Sequence, residues 1–145
     1  MREWQTNGSI SVAHLQAISD GVTGHGRALS FVRGGDGQPV ACALMDDGTS
    51  IAGAMGRAEF RRLFISYLWV DAQWRGMGLG AEALHRLEAL ALERGCTQTL
   101  IESLDDAVAD WYVRCGYQRV ACLVEYCGPW SRHTLLKPLS TVNHR

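Results

Sequence analysis

A short run of glycines follows a basic residue near the middle of the chain, in the segment Arg75-Gly76-Met77-Gly78-Leu79-Gly80. Glycine at alternate positions lets the backbone turn tightly, and its N–H groups can approach a ligand with no Cβ in the way. A helix that begins at this run adds about half a positive charge at its N-terminus, and Arg75 adds a fixed cation. A pyrophosphate group is the anion that best suits such a site.

The residues on either side of this run predict the strand and the helix that must hold it. Arg62–Val70 is rich in β-branched and aromatic residues, as strands are. A helix from about Gly78 to Arg94 is indicated by leucine and alanine at helical spacing, and Gly95 stands where a helix-terminating glycine is expected. Thr97–Glu102 predicts the next strand, which completes a βαβ unit with parallel strands and a right-handed crossover.

The rest of the chain predicts further short elements around this unit. Before it, frequent glycines separate short apolar runs, which is typical of strands in a meander. Asp46-Asp47-Gly48 predicts a hairpin turn, because glycine supplies the positive φ that such turns need. The elements expected outside the βαβ unit are a helix over Ser9–Asp20, strands at Ala28–Arg33, Val40–Met45 and Ser50–Ala54, a helix at about Ala107–Cys115, and strands at Tyr117–Tyr126 and Arg132–Lys137.

Composition excludes several classes of protein. The 145 residues suit one domain, over 1–145. A composition of 47% hydrophobic and 20% charged residues is ordinary for a globular protein. A net charge of −1 provides no basic field for nucleic acid or for an anionic membrane surface. The longest mainly apolar stretch, Leu63–Val70, is too short to span a membrane. Five cysteines without an export signal predict free thiols in the cytoplasm. The spacing of histidines and cysteines predicts no metal site.

Two alternatives must be considered for the glycine run. It satisfies the dinucleotide-binding fingerprint as Gly76-x-Gly78-x-x-Ala81, with Glu102 at the end of the next strand as a ribose acceptor. Against this, five residues separate Val70 from the first glycine, whereas in the dinucleotide-binding fold the strand leads directly into the glycine turn. One βαβ unit is present rather than two halves, and the preceding 60 residues resemble a helix and a meander. A purely structural turn is the other alternative.

The whole chain resembles the GNAT superfamily of N-acetyltransferases. The acyl-CoA motif of that family, Gln/Arg-x-x-Gly-x-Gly/Ala, is matched without departure by Arg75–Gly80, and LWVDAQW before it is similar to the family's fourth strand and exit loop. Farther on, WYVRCGY, which begins at Trp111, is similar to the family's aromatic-Tyr-x-x-x-Gly-aromatic signature. The resemblance covers roughly residues 28–139. It implies a mixed α/β (α+β) fold with six or seven strands, one splayed pair, and three or four helices.

The resemblance also implies a reaction and the residues that carry it. An acceptor amine would attack acetyl-CoA directly in a ternary complex, with CoA as the second product. Tyr112 would protonate the departing thiolate. The family's usual glutamate on the fourth strand is absent, so Glu102 on the neighbouring strand is the first candidate for the general base, and Ser103 could orient a water. The residues expected to bind the cofactor are Leu68, Trp69, Val70, Arg75, Gly76, Met77, Gly78, Leu79, Gly80 and Ser103.

The sequence therefore predicts an acetyl-CoA-dependent N-acetyltransferase that acts on a primary amine. The acceptor, a small molecule or a peptide, cannot be identified from the residues. The resemblance permits a homodimer through the last strands. Two other functions are kept as alternatives: an acyl-CoA-binding sensor without turnover, suggested by the missing glutamate and by Asp105 where the family often has asparagine, and a nucleotide-cofactor oxidoreductase.

Overall fold

The computed structural model describes residues 1–29 and 37–140. Two compact units are distinguished, the first over Met1–Gly35 and the second over Asp36–Arg145. The first contains a short 3-10 turn at Asn7–Ser9 and the helix α1, Val12–Leu29. Helix α1 is longer than predicted, since Val22 continues the helical spacing of Leu15 and Ile18 past the glycines that were interpreted as breaks. The strand predicted at Ala28–Arg33 is wrong at Ala28 and Leu29, which end α1, and the rest of it lies outside the described residues.

The second unit is a mixed sheet with helices, as predicted. Its strands follow the order β1-β2-β3-β4-β6-β5 in the sheet. Strand β3 pairs in parallel with β4, which confirms the βαβ unit, and the other pairings are antiparallel. The elements are β1 (Gln38–Asp46), β2 (Thr49–Glu59), β3 (Arg62–Val70), a 3-10 turn (Ala72–Trp74), α2 (Leu79–Glu93), β4 (Gln98–Ser103), α3 (Asp106–Arg114), β5 (Gln118–Cys127) and β6 (Trp130–Pro138).

Strand β2 continues five residues beyond its predicted end at Ala54, through a glycine that was interpreted as a break. A Cβ on Gly56 would lie 2.1 Å from the carbonyl oxygen of Phe64 in β3. Glycine is therefore needed here for close approach of two backbones within the sheet rather than for a turn. The predicted hairpin turn is confirmed, with positive φ at Asp47 (47°) and Gly48 (81°).

The hydrophobic core lies between one face of the sheet and the helices α2 and α3. Leu63 of β3, Leu84 and Leu87 of α2, and Leu135 of β6 are completely buried in it. Because α2 and α3 pack on the same face, their N-terminal ends lie beside the carboxyl ends of β3 and β4, where parallel strands of α/β proteins place ligand sites. Among residues 1–29 and 37–140, no helix is long and apolar enough to cross a membrane.

Candidate active site

Strands β3 and β4 separate soon after they begin. Only residues 62–64 of β3 pair with β4, where they lie opposite residues 98–100. On its other side, β3 pairs with β2, and this pairing has one irregularity. Met55 is opposite Tyr67, but the next residue, Gly56, is opposite Ile65. Ser66 is therefore the extra residue of a bulge in β3. A bulge bends its strand and increases its twist. The second half of β3 therefore leaves β4, and a gap opens between them.

The bulge also reverses which side chains face the helices. After it, Leu68 packs against the core and the Cγ2 of Val70 lies near Gly80 of α2. Tyr67 and Trp69 consequently project from the opposite face, where they are 69% and 48% exposed. The two halves of β3 thus serve different purposes, one for the core and one for the walls of the gap.

The backbone of β3 offers hydrogen-bonding groups to this gap. The amide of Asp71 donates to the carbonyl of Ile51 at 2.8 Å. Every second residue counted back from Asp71, including Trp69, therefore directs its backbone groups to β2. The alternate residues, Leu68 and Val70, direct theirs away from β2, towards the gap. Arg75 Nε already donates to the carbonyl of Val70 at 3.1 Å, which shows that this edge is accessible.

The glycine run that follows has the backbone conformation of an anion site. Gly76 and Gly78 have φ values of 80° and 78°, and a Cβ added to either would meet no atom within 4 Å. Positive φ rather than crowding therefore requires glycine at both positions. Gly78 is the N-cap of α2 and has no side chain with which to cap it. The amides of residues 79–81, which have no intrahelical acceptor, are left for a ligand.

A cavity of about 520 Å³ connects this loop to α3. It contains most of the residues predicted to form the site and some that were not predicted. The predicted residues that line it are Leu68, Trp69, Val70, Arg75, Gly76, Gly78, Leu79, Gly80 and Tyr112. Ala107 and Val108 line it as well, although nothing in their types suggests a role. Their position in the first turn of α3, directly after β4, was the available signal.

Tyr112 lies at the inner end of the cavity and is 3% exposed. Its ring meets those of Trp111 and Tyr117 edge to face, with centroids 5.0 and 5.4 Å away. Burial raises the pKa of its phenol far above the ordinary value of 10, and the nearby Cys115 thiol raises it further. Tyr112 therefore keeps its proton at any physiological pH, which is the form that a proton donor requires.

This chain is similar to known proteins over most of its length. The model of the acetyltransferase (GNAT) family matches residues 7–117. Blasticidin-S acetyltransferase of Streptomyces morookaense is 31% identical over 135 residues, which cover 90% of this chain and 99% of that protein. The chain belongs to the GNAT family. The resemblance of the motifs is thereby confirmed, and the protein is an acetyl-CoA-dependent N-acetyltransferase.

Solved acetyltransferase structures show the same fold. An acetyltransferase from Bacillus cereus ATCC 14579 superposes with a TM-score of 0.87 at 24% identity, covering 94% of this chain and 98% of that chain. An aminoglycoside 6'-N-acetyltransferase complexed with coenzyme A superposes with a TM-score of 0.64 at 15% identity, over 73% and 76% of the two chains. The oxidoreductase alternative has no support in this fold, since a dinucleotide site requires two parallel mononucleotide halves.

Three residues predicted for the GNAT site lie outside the cavity lining. Met77 is 63% exposed. Ser103 exchanges two 3.3 Å hydrogen bonds with the backbone of Asp105, donating to its carbonyl and accepting from its amide. Glu102 forms an ion pair with Arg132 of β6, and about 38% of its side chain is exposed. Its neighbour Ile101 faces the core, so Glu102 faces the side of the sheet to which Tyr67 and Trp69 project.

Asp105 caps α3. Its carboxylate accepts hydrogen bonds from the amides of Ala107 and Val108, at 2.8 and 3.1 Å. An asparagine here would also cap a helix, so the aspartate keeps the local structure that the family's residue provides. The first turn of α3, and with it one wall of the cavity, is held in this way.

Proposed function

We propose that this GNAT protein transfers the acetyl group of acetyl-CoA to a primary amine of a small molecule, by direct attack within the cavity between β3 and α3. One observation carries the proposal: a single cavity contains the amides of the glycine run, the free backbone edge of β3, and the protonated phenol of Tyr112. These are the groups needed to hold a pyrophosphate, an extended diamide and a leaving thiolate, in that order.

The residues present fit acetyl-CoA. The open, positive-φ loop and the uncapped start of α2 suit the pyrophosphate, and the guanidinium of Arg75 adds charge. The pantetheine amides would pair with the backbone of Leu68 and Val70, as an added strand pairs with a sheet edge. Because Arg75 occupies the carbonyl of Val70, the amide of Val70 and the groups of Leu68 are the available partners. When bound, acetyl-CoA supplies the activated acetyl thioester.

Gly80 tests this binding mode. Replacement by valine should weaken CoA binding by about 10–100-fold, because overpacking costs roughly 1–3 kcal/mol, whereas alanine, which the family's motif accepts at this position, should bind CoA as the parent protein does. The Cβ of either residue would lie 3.6 Å from both Trp111 and Val70, which is ordinary contact, and the further methyl groups of valine would take space from the cavity that Gly80 lines. Stability should change by less than about 1 kcal/mol, because valine and glycine differ little in helix propensity.

The matched control is Gly24→Val in α1, where a Cβ would meet nothing within 4 Å. It should change helix stability to the same small extent, with no change in CoA affinity by calorimetry. Equal CoA affinities for Gly80→Val and the parent protein would contradict the placement of the pantetheine beside Gly80.

The acceptor must lose a proton before it attacks. An amine of pKa about 10.4 lies 3.4 units above pH 7, so its neutral form costs about 4.6 kcal/mol. We place Glu102, which faces the acceptor side of the sheet, as the group that receives this proton through water. Its carboxylate forms an ion pair with Arg132. Tyr112 would give its proton to the leaving thiolate. The second N–H proton, which the amine loses after attack, would restore the phenol, and Glu102 would pass the first proton to solvent.

The acceptor side of β3 is predominantly apolar. Tyr67 and Trp69 line a second cavity of about 470 Å³, together with small residues of β1 and β2, including Ala43 and Gly53. Trp69 lines both cavities, so an acceptor held against it would be next to the thioester. A pocket of this size suits a small molecule, and the similarity to a blasticidin-S acetyltransferase over nearly the whole of that protein makes blasticidin S the first acceptor to test.

The test has two stages. Thermal shift with acetyl-CoA, CoA and NADH in parallel should show stabilisation by the two CoA species alone, about 2.7 kcal/mol at 100 times Kd. Thiol release is then measured with blasticidin S, aminoglycosides and lysine-containing peptides. Turnover with a small amine supports the proposal. CoA binding without turnover on any amine would favour the sensor alternative, and turnover with peptides alone would overturn the choice of acceptor.

A further inference from the structure

Two aromatic side chains project from the second half of β3 without being packed in the core. Tyr67 and Trp69 are both exposed, although rings of this size usually contribute large buried areas to a core or an interface. Within the described part of the chain, neither ring contacts another aromatic ring. Exposed apolar surface of this kind marks a place where a ligand or a partner binds.

The spacing of the two rings suits one flat group between them. Tyr67 and Trp69 are alternate residues of a strand, so their Cα atoms are about 6.6–6.8 Å apart and their side chains leave the same face. A flat ring that touches a neighbour on each side at about 3.5 Å needs about 7 Å. The separation therefore admits one aromatic ring. A saturated ring is thicker and fits the same space less well.

The strands beside β3 leave the space next to these rings open. Trp69 is opposite Gly53 of β2, and Gly53 is opposite Ala43 of β1, so the row that contains Trp69 has almost no side chain beyond it. The row that contains Tyr67 continues with Met55 of β2, a flexible apolar residue that can adapt to a bound ring. All five residues line the cavity of about 470 Å³.

The lining of this cavity favours an uncharged group. None of the described residues that line it carries a charge. Glu102, which faces the same side of the sheet, is outside the lining and is paired with Arg132. A second ammonium group or a cluster of hydroxyls would lose water here without gaining a partner, which is unfavourable. The cavity therefore disfavours polyamines and aminoglycosides and favours an apolar, flat group.

We infer that the acceptors of this enzyme are primary amines that carry an aromatic or heteroaromatic ring, which Tyr67 and Trp69 hold between them. The inference rests on the acceptor side that the proposed function assigns. Trp69 lines both cavities, so a ring held against it leaves the amine within a short linker of the thioester. Tyr67 lines the acceptor cavity and not the cofactor cavity, which makes it a specificity-determining residue.

The first test compares two acceptors that differ in the ring alone. Phenethylamine and cyclohexylethylamine have the same linker and the same primary amine, but only the first ring is flat. The kcat/KM for phenethylamine should be about 5–100-fold higher, from two ring contacts. Tyr67→Leu should lower this ratio at least about threefold, whereas Tyr67→Phe, which keeps the ring, should preserve it.

Met55→Leu is the matched control, because Met55 lines the same cavity without a ring. It should leave the ratio of the two kcat/KM values unchanged. The two amines differ in basicity, but this difference is the same for every variant and cancels when the ratios are compared.

The second test measures binding without turnover. The complex with CoA contains no acetyl group, so ligand-observed NMR gives the dissociation constants of both amines at equilibrium. Phenethylamine should bind more tightly than cyclohexylethylamine, and its ring protons should shift upfield, as protons between two aromatic faces do. No binding of phenethylamine, equal dissociation constants for the two amines, or a preference that Tyr67→Leu leaves intact would overturn the inference. Selective binding without acetylation of either amine would instead overturn the proposed function and leave the ring site in place.

Discussion

Phenylalanine in place of Tyr112 is expected to lower kcat for acetyl transfer by about 10²–10⁴-fold, the usual contribution of a general acid, and to leave CoA affinity unchanged. The phenol is buried, and its raised pKa means that no physiological pH removes the proton it donates. Without that hydroxyl, the thiolate must leave unprotonated or take its proton from water. A loss confined to kcat is the signature of a contact made in the transition state.

Tyr117→Phe is the matched control for this experiment. Tyr117 is equally buried, its ring touches that of Tyr112, and its hydroxyl donates to Thr99 at 3.4 Å. Tyr117 is not among the residues that line the cavity. Its replacement should cost about 1 kcal/mol of stability and leave kcat near the parent value. Full kcat in Tyr112→Phe, measured by thiol release at saturating acetyl-CoA, would remove Tyr112 from the mechanism.

The parts of the site that the sequence could predict depend on local rules. Arg75–Gly80 between a strand and a helix predicts an anion site because positive φ is a property of single residues, and Gly76 and Gly78 do adopt it. The same holds for the hairpin at Asp47-Gly48 and for the core stripe of α2. In each case the residues that carry the signal are close together in the chain, so their spacing in the sequence determines the local backbone geometry.

The remaining features depend on contacts between distant segments. The bulge at Ser66 arises from the pairing of β3 with β2, and Gly56 is needed only because Phe64 of another strand approaches it. No periodicity within β3 could show that Tyr67 and Trp69 change face. Similarly, the ion pair of Glu102 with Arg132 joins residues 30 positions apart. Such pairs can be identified only when the arrangement of the strands that bring them together is known.

Glu88→Gln is expected to lower the free energy of unfolding by about 2–3 kcal/mol. The Glu88 carboxylate on α2 is buried, and it accepts from the ammonium of Lys137 on β6, with Nζ–Oε distances of 2.9 and 3.2 Å. Removing the negative charge leaves the ammonium without its partner inside the protein. The loss is below the 3–5 kcal/mol of a fully buried pair because Lys137 is about 22% exposed and reaches some water.

Chemical denaturation of three further variants separates the charge effect from packing. Glu82→Gln breaks an exposed pair with Arg86 on the same helix and should change stability by at most about 0.5 kcal/mol. Removing both charges, in Glu88→Met with Lys137→Met, should recover most of the loss, since a buried pair can often be replaced by apolar residues at little cost. Lys137→Met alone should be as destabilising as Glu88→Gln, because it leaves the carboxylate buried and unpaired. If the double variant were no more stable than either single one, packing at Glu88 rather than the ion pair would account for the effect.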